Sequence, residues 1–119
     1  MNDQNTTVTD LKNIVEKFIQ EREWAQFHNA KNLSMAIAAE AAELMELFLW
    51  FEGNESGAVM QKNGKAVEQE VADIAWMLLC FCNRYNIDLC NVIEQKMVIN
   101  AQKYSVQKAK GRREKYTEL

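Results

Sequence analysis

Apolar residues recur three and four positions apart along most of the chain, which is the period of an amphipathic helix and not the alternation of a strand. Leu11, Ile14, Val15 and Phe18 mark a first helix from Val8 to about Trp24, with Thr7 and Asp10 spaced for a capping box. A second helix is predicted after Asn32, a good N-cap, from Leu33 to about Phe51. Gly53, Asn54, Ser56 and Gly57 then interrupt the pattern. A third helix runs from about Lys65 to Tyr85, and a fourth, capped by Asp88, extends to about Tyr104. The prediction is an all-α protein, a four-helix bundle in a single domain over residues 1–119, with its core at about 8–104 and a charged tail at 105–119.

Composition supports helices, because the chain has no proline and only four glycines, and a β-rich fold needs frequent turn punctuation. With 119 residues, 48% of them hydrophobic, the chain can build one core yet is short enough for copies to associate. Acidic residues exceed basic ones 17 to 14, so a wholly basic nucleic-acid binder is excluded. No run of about 18 uncharged apolar residues exists to span a membrane. The polar start, Met1–Asp10, lacks a signal-peptide layout, so a cytoplasmic location is expected. Cys80, Cys82 and Cys90 read as reduced core thiols, since no C-x-x-C pair exists and one histidine makes a Cys/His zinc site improbable.

The acids of the second and third helices fall where a core should be. At about 100° per residue, Leu33, Leu44 and Phe51 lie within roughly 40° of Glu40, with Ala36 and Leu47 on its other side. Glu43 stands to one side, next to Trp50. The third helix repeats the arrangement, with Glu70 among Ala66, Val67, Ile74, Met77 and Phe81 and Asp73 to the same side. Carboxylates in apolar surroundings are costly, and four together repel one another. They must be protonated, paired with cations, or bound to metal.

Protonating all four at neutral pH needs large upward pKa shifts. Lys96, on the face of the fourth helix with Leu89, Val92 and Ile93, offers one charge against four. Divalent metal answers better, and an all-oxygen set of Glu40, Glu43, Glu70 and Asp73 suits Mg²⁺, or else Mn²⁺. Di-iron bundles use Glu-x-x-His pairs, which this chain lacks. The competing interpretation is a solvated acidic face, or an interface between copies that imitates a core.

Glu40-x-x-Glu43, followed after 26 intervening residues by Glu70-x-x-Asp73, resembles the motif of the all-α nucleoside triphosphate pyrophosphatases, the MazG-like group. The run from Glu21 to His28, Asn32-Leu33, the run from Glu43 to Trp50, Lys96 to Asn100 and the ending from Lys115 to Leu119 are similar to its deoxycytidine triphosphate pyrophosphatase branch. The resemblance implies hydrolysis of a (deoxy)nucleoside triphosphate between the α and β phosphates. It further implies Mg²⁺ on the four acids, base and sugar contacts near Trp24, His28 and Trp50, and phosphate or sugar contacts from Lys96, Asn100 and Tyr104. A tight dimer, often paired into a tetramer with pockets at subunit contacts, is implied as well. Met77 and Val15 depart from the tyrosine and histidine of the animal enzymes, which bears on base preference and not on the metal chemistry.

In physical terms, metal between the acids and a triphosphate reverses the local sign of charge and lowers the pKa of a bound water. Glu43 is the expected proton acceptor. The substrate expectation is dCTP-like; the alternatives are the same chemistry on dATP or dUTP, or a non-catalytic helical oligomer that binds nucleotide or a protein partner. From Lys103 onward six cations face only Glu114 and Glu118, so residues 103–119 carry +4 and residues 1–102 carry −7. That tail is either solvated or closes over bound phosphates or an adjacent subunit; it is too short a basic patch for nucleic acid.

Overall fold

The computed structural model describes residues 1–119 and contains helices and no strands. The α-helices are α1 (Val8–Glu21), α2 (Ala30–Glu46), α3 (Ser56–Arg84), α4 (Leu89–Lys103) and the one-turn α5 (Val106–Ala109). Short 3₁₀ turns cover Trp24–Phe27, Gly53–Glu55 and Tyr116–Glu118. Contacts divide the chain into two compact units, Met1–Asn86 and Ile87–Leu119. No helix is long and apolar enough to cross a membrane.

In the first unit, α1 opens with the expected capping box: the Asp10 amide donates to the Thr7 hydroxyl at 3.1 Å, and the Thr7 amide to the Asp10 carboxylate at 2.8 Å. The helix ends at Glu21 and not at Trp24, because Glu23 takes a left-handed conformation (φ 53°) that no helix continues through. Trp24 therefore lies in a 3₁₀ turn and His28 just beyond it, so helical spacing does not make them neighbours. The N-cap of α2 is Asn29, whose side chain accepts the Asn32 amide at 2.9 Å. Asn32, the cap expected from sequence, instead donates its side-chain amide to the Phe27 carbonyl at 3.0 Å.

Helix α3 starts at Ser56, nine residues before the expected Lys65, so Gly57 and Gly64 lie inside it. The helix is instead kinked at Asn63 (φ −120°, ψ 23°), beyond the residues where the break was expected. A short connection joins the end of α2 to the start of α3, and the Ala30 amide donates to the Tyr85 hydroxyl at 2.6 Å across the opposite ends. The two helices thus run antiparallel. At 1.5 Å per residue, Glu40 stands about 15 Å and Glu70 about 22 Å from that shared end, close enough in height for their side chains to meet. Val15 and Ile19 of α1, Leu33 of α2 and Val59, Val67, Leu79, Cys80 and Cys82 of α3 are buried, Leu33 to 1% exposure. The Asn83 side chain also ties α3 to α1 by donating to the Lys12 carbonyl at 2.9 Å.

In the second unit, the Asp88 carboxylate caps α4 as expected, accepting the Asn91 amide at 3.0 Å. No residue of α4 is buried; Val92, Ile93, Met97, Val98 and Ile99 are 40–57% exposed. The inner face expected to hold Lys96 is therefore uncovered in a single copy. The tail is partly structured: Tyr116 packs edge-on to Tyr104 at 6.0 Å between centroids, and the Lys103 ammonium lies 4.9 Å from the Tyr116 ring centre. Cys90 is exposed, correcting the expectation of three core thiols; only Cys80 and Cys82 are buried.

Candidate metal centre

Antiparallel α2 and α3 bring Glu40, Glu43 and Glu70 together, each with a carboxylate oxygen within 4.8 Å of the others. Glu40 and Glu70 are half-buried and Glu43 is exposed, so the cluster has an inner floor and a solvated mouth. Oε2 of Glu40 and Oε2 of Glu70 are both buried without a hydrogen-bond partner. The ion pairs Lys17–Glu21, Arg22–Glu21, Lys65–Glu68 and Arg112–Glu114 all lie elsewhere. Buried polar atoms are ordinarily satisfied, so two orphaned carboxylate oxygens facing one cluster call for a cation or a proton.

Charge follows the geometry. Burial holds the Glu40 carboxyl above the ordinary carboxylate range, and the charges of Glu43, Asp73 and Glu70 add to the rise. Glu70 is raised in the same way, first by burial and then by Glu43, Asp73 and Glu46. Two clustered acids that resist ionisation, Glu40 and Glu70, fit the demands of a divalent cation, which replaces the missing partners and favours the ionised form. Glu46, given no role from sequence, adds its charge here; the signal was its place three residues after Glu43, repeating the Glu40–Glu43 step.

Asp73 stands apart from the close trio. Its Oδ1 accepts the indole N–H of Trp76 at 2.9 Å, while its charge still reaches Glu40 and Glu70. Trp76, also missed from sequence, lies three residues beyond Asp73 on the same helix face. Asp73 and Trp76 line a cavity of about 380 Å³ with Ile14, Val15 and Phe18, apolar apart from the carboxylate. Phe18 packs edge-on against Trp76 (5.9 Å) and Trp24 (5.7 Å), with the Arg22 guanidinium 3.6 Å from its ring centre.

The remaining sequence-predicted residues are dispersed. Trp24 borders that cavity through Phe18, whereas His28 lines a smaller one of about 120 Å³ with Glu16, Ile19, Ala25, Cys80, Asn83 and Arg84. Trp50 follows the end of α2 and is 89% exposed, so it walls off no pocket within one copy. Lys96 and Asn100 on α4 and Tyr104 at its C-cap belong to the second unit.

The sequence and the fold have counterparts among known proteins. Residues 35–119 match the model of the MazG-like family. The chain is 36% identical to dCTP pyrophosphatase 1 of Rattus norvegicus over 115 residues, covering 95% of this chain and 68% of the relative. The human protein of the same name is 34% identical over the same lengths. Among solved structures, a pyrophosphatase from Archaeoglobus fulgidus superposes with a TM-score of 0.81 at 31% identity, covering 88% of this chain and 98% of that one. An acid pattern on two antiparallel helices and matches over most of the chain lead to one conclusion: the chain belongs to the MazG-like family.

Proposed function

We propose that this protein is a nucleoside triphosphate pyrophosphatase that hydrolyses a dCTP-like deoxynucleoside triphosphate between its α and β phosphates, releasing a monophosphate and pyrophosphate, and so serves nucleotide-pool sanitation. Family membership and relatives named dCTP pyrophosphatase 1 support the reaction class. The observation that carries the site is the pair of buried, unpartnered oxygens of Glu40 and Glu70 beside Glu43. Glu40, Glu43, Glu70 and Asp73 would hold Mg²⁺, with Mn²⁺ able to substitute. Bound there, the metal would offset the triphosphate charge and make a coordinated water more acidic.

The chain's own groups divide the remaining work. Glu43 is the solvent-exposed member of the trio and is suited to accept the proton of the attacking water, because a proton reaching it passes readily to solvent. The cavity between α1 and α3 has aromatic walls in Phe18 and Trp76 against which a base can stack, with Trp24 supporting Phe18. Lys96, Asn100 and Tyr104 are assigned to phosphate and sugar, and His28 and Trp50 to the base and sugar region.

We further propose a dimer or dimer of dimers. The exposed apolar residues of α4 support it, and so, separately, do exposed Leu49, Trp50 and Phe51, since large apolar side chains clustered in water mark interaction surfaces. The deciding experiment measures pyrophosphate release from dCTP, dATP, dUTP and dTTP with Mg²⁺, and again after EDTA. Release that is greatest from dCTP and abolished by EDTA is expected; release from none of them would overturn the enzymatic reading.

A further inference from the structure

We propose that Trp76 is a positioning residue for Asp73, its indole N–H fixing one carboxylate oxygen so that Asp73 offers a cation a single, pre-oriented oxygen. The inference rests on the reading of Asp73 as a metal ligand. Three observations carry it. The Nε1–Oδ1 bond is 2.9 Å, and the pair is partly buried, where water competes less for the carboxylate. The indole is itself held by the edge-on contact with Phe18 at 5.9 Å. Phe18 in turn is braced by Trp24 at 5.7 Å and by the Arg22 guanidinium at 3.6 Å from its ring centre, with the Arg22 side chain anchored to the Phe18 carbonyl at 3.1 Å. The donor is thus rigid, and the chain of contacts links the turn after α1 to the acid cluster.

Asp73 also differs from the other acids in having a protein donor at all. Oε2 of Glu40 and of Glu70 is buried with no partner, whereas Oδ1 of Asp73 is already satisfied. A carboxylate with one oxygen engaged by a donor is turned to present the other, so the free oxygen is oriented before any cation arrives and one-oxygen ligation is favoured over chelation. Partners that hold a ligating group in this way are typically worth about 10- to 100-fold in metal affinity.

The test uses the full chain and Mn²⁺ as probe, with free Mn²⁺ read by electron paramagnetic resonance and helicity by circular dichroism. Trp76→Phe keeps an aromatic ring but loses the donor; Trp76→Gln loses the ring but keeps an N–H at the same helical spacing. Weakening of Mn²⁺ binding by about 10-fold or more is expected in Trp76→Phe, with binding in Trp76→Gln closer to wild type. The effect of Trp76→Phe should vanish in an Asp73→Asn background, because the two residues act as a unit. Equal losses in both Trp76 variants, a larger loss in Trp76→Gln, or full additivity with Asp73→Asn would overturn the positioning role and leave only packing. Unchanged Mn²⁺ affinity in Asp73→Asn alone would instead remove Asp73 from the ligand set, a failure of the underlying assignment and distinguishable from the first.

Discussion

Neutralising Glu40 should move the stability of the protein in opposite directions with and without metal. Carboxylate oxygens of Glu40 and Glu43 lie within 4.8 Å, a separation at which two unit charges repel by about 1 kcal/mol in water and about 3.5 kcal/mol at an effective dielectric of 20. Glu43 is exposed and the mouth of the cluster is solvated, so the lower figure applies. Glu40→Gln removes that repulsion and gives the orphaned position an amide that can donate to a neighbouring carboxylate. The metal-free variant should gain about 1 kcal/mol, or about 4 °C in Tm for a chain of this length.

With metal present the sign reverses. A ligand at 100 times its Kd stabilises by about 2.7 kcal/mol, or about 11 °C here. A tenfold weaker site at the same concentration retains about 1.4 kcal/mol, close to half of that shift. Thermal unfolding of wild type and Glu40→Gln, in EDTA and in MnCl₂ at one fixed protomer concentration, measures both effects. A lower Tm for the variant in EDTA, or an undiminished rise with Mn²⁺, would refute the argument that these acids repel one another until a cation joins them.

Other consequences are simpler to check. Glu40 and Glu70 carry carboxyls raised above 4.5 in the fold, so the native state holds their protons more tightly than the unfolded chain does. Their contribution is full below that pH and is lost as pH rises through the raised values, so a metal-free stability profile should fall over that range and flatten in the double variant Glu40→Gln/Glu70→Gln. Burial pushes the Cys80 thiol up to about 11; at pH 8 a disulfide reagent should label exposed Cys90 quickly and Cys80 and Cys82 only after unfolding, with uniform labelling contradicting the burial. Thr7→Ala should cost about 1 kcal/mol through loss of the capping box, seen as a drop of about 4 °C in Tm. Leu33→Ala should cost about 2–5 kcal/mol, since the only large side chain buried to below 2% exposure leaves a void that the helices cannot fully close.

What the sequence revealed depended on whether a feature was written in one helix or in several. Glu40 and Glu70 announced themselves because each interrupts an apolar stripe on its own helix, and a stripe is visible at a period of 3.6. Local chemistry was equally legible in the Thr7–Asp10 box and the Asp88 cap, where donor and acceptor are three residues apart. The start of α2 was harder for a local reason: Asn29 and Asn32 can each cap a helix, and the choice is made by Asn32 bonding backward to Phe27. The start of α3 was missed because glycine is only a weak breaker, and Gly57 and Gly64 are carried inside a helix that bends at Asn63.

Residues whose meaning depends on a second helix were out of reach. Trp76 reads as an ordinary apolar position until Phe18 of α1 is packed against it and its N–H is seen on Asp73. The same reasoning bears on α4, where the apolar period predicted a buried face that a single copy leaves exposed. Periodicity reports that a face will be covered and is silent about what covers it. Trp50, 89% exposed shortly after the helix that carries Glu40 and Glu43, poses that question most sharply: a tryptophan left in water loses the burial that large aromatics ordinarily gain. In the proposed dimer a cover from a second copy would restore that burial, and Trp50, four residues past the end of the helix that carries Glu40 and Glu43, would tie the assembly of the protein to that helix.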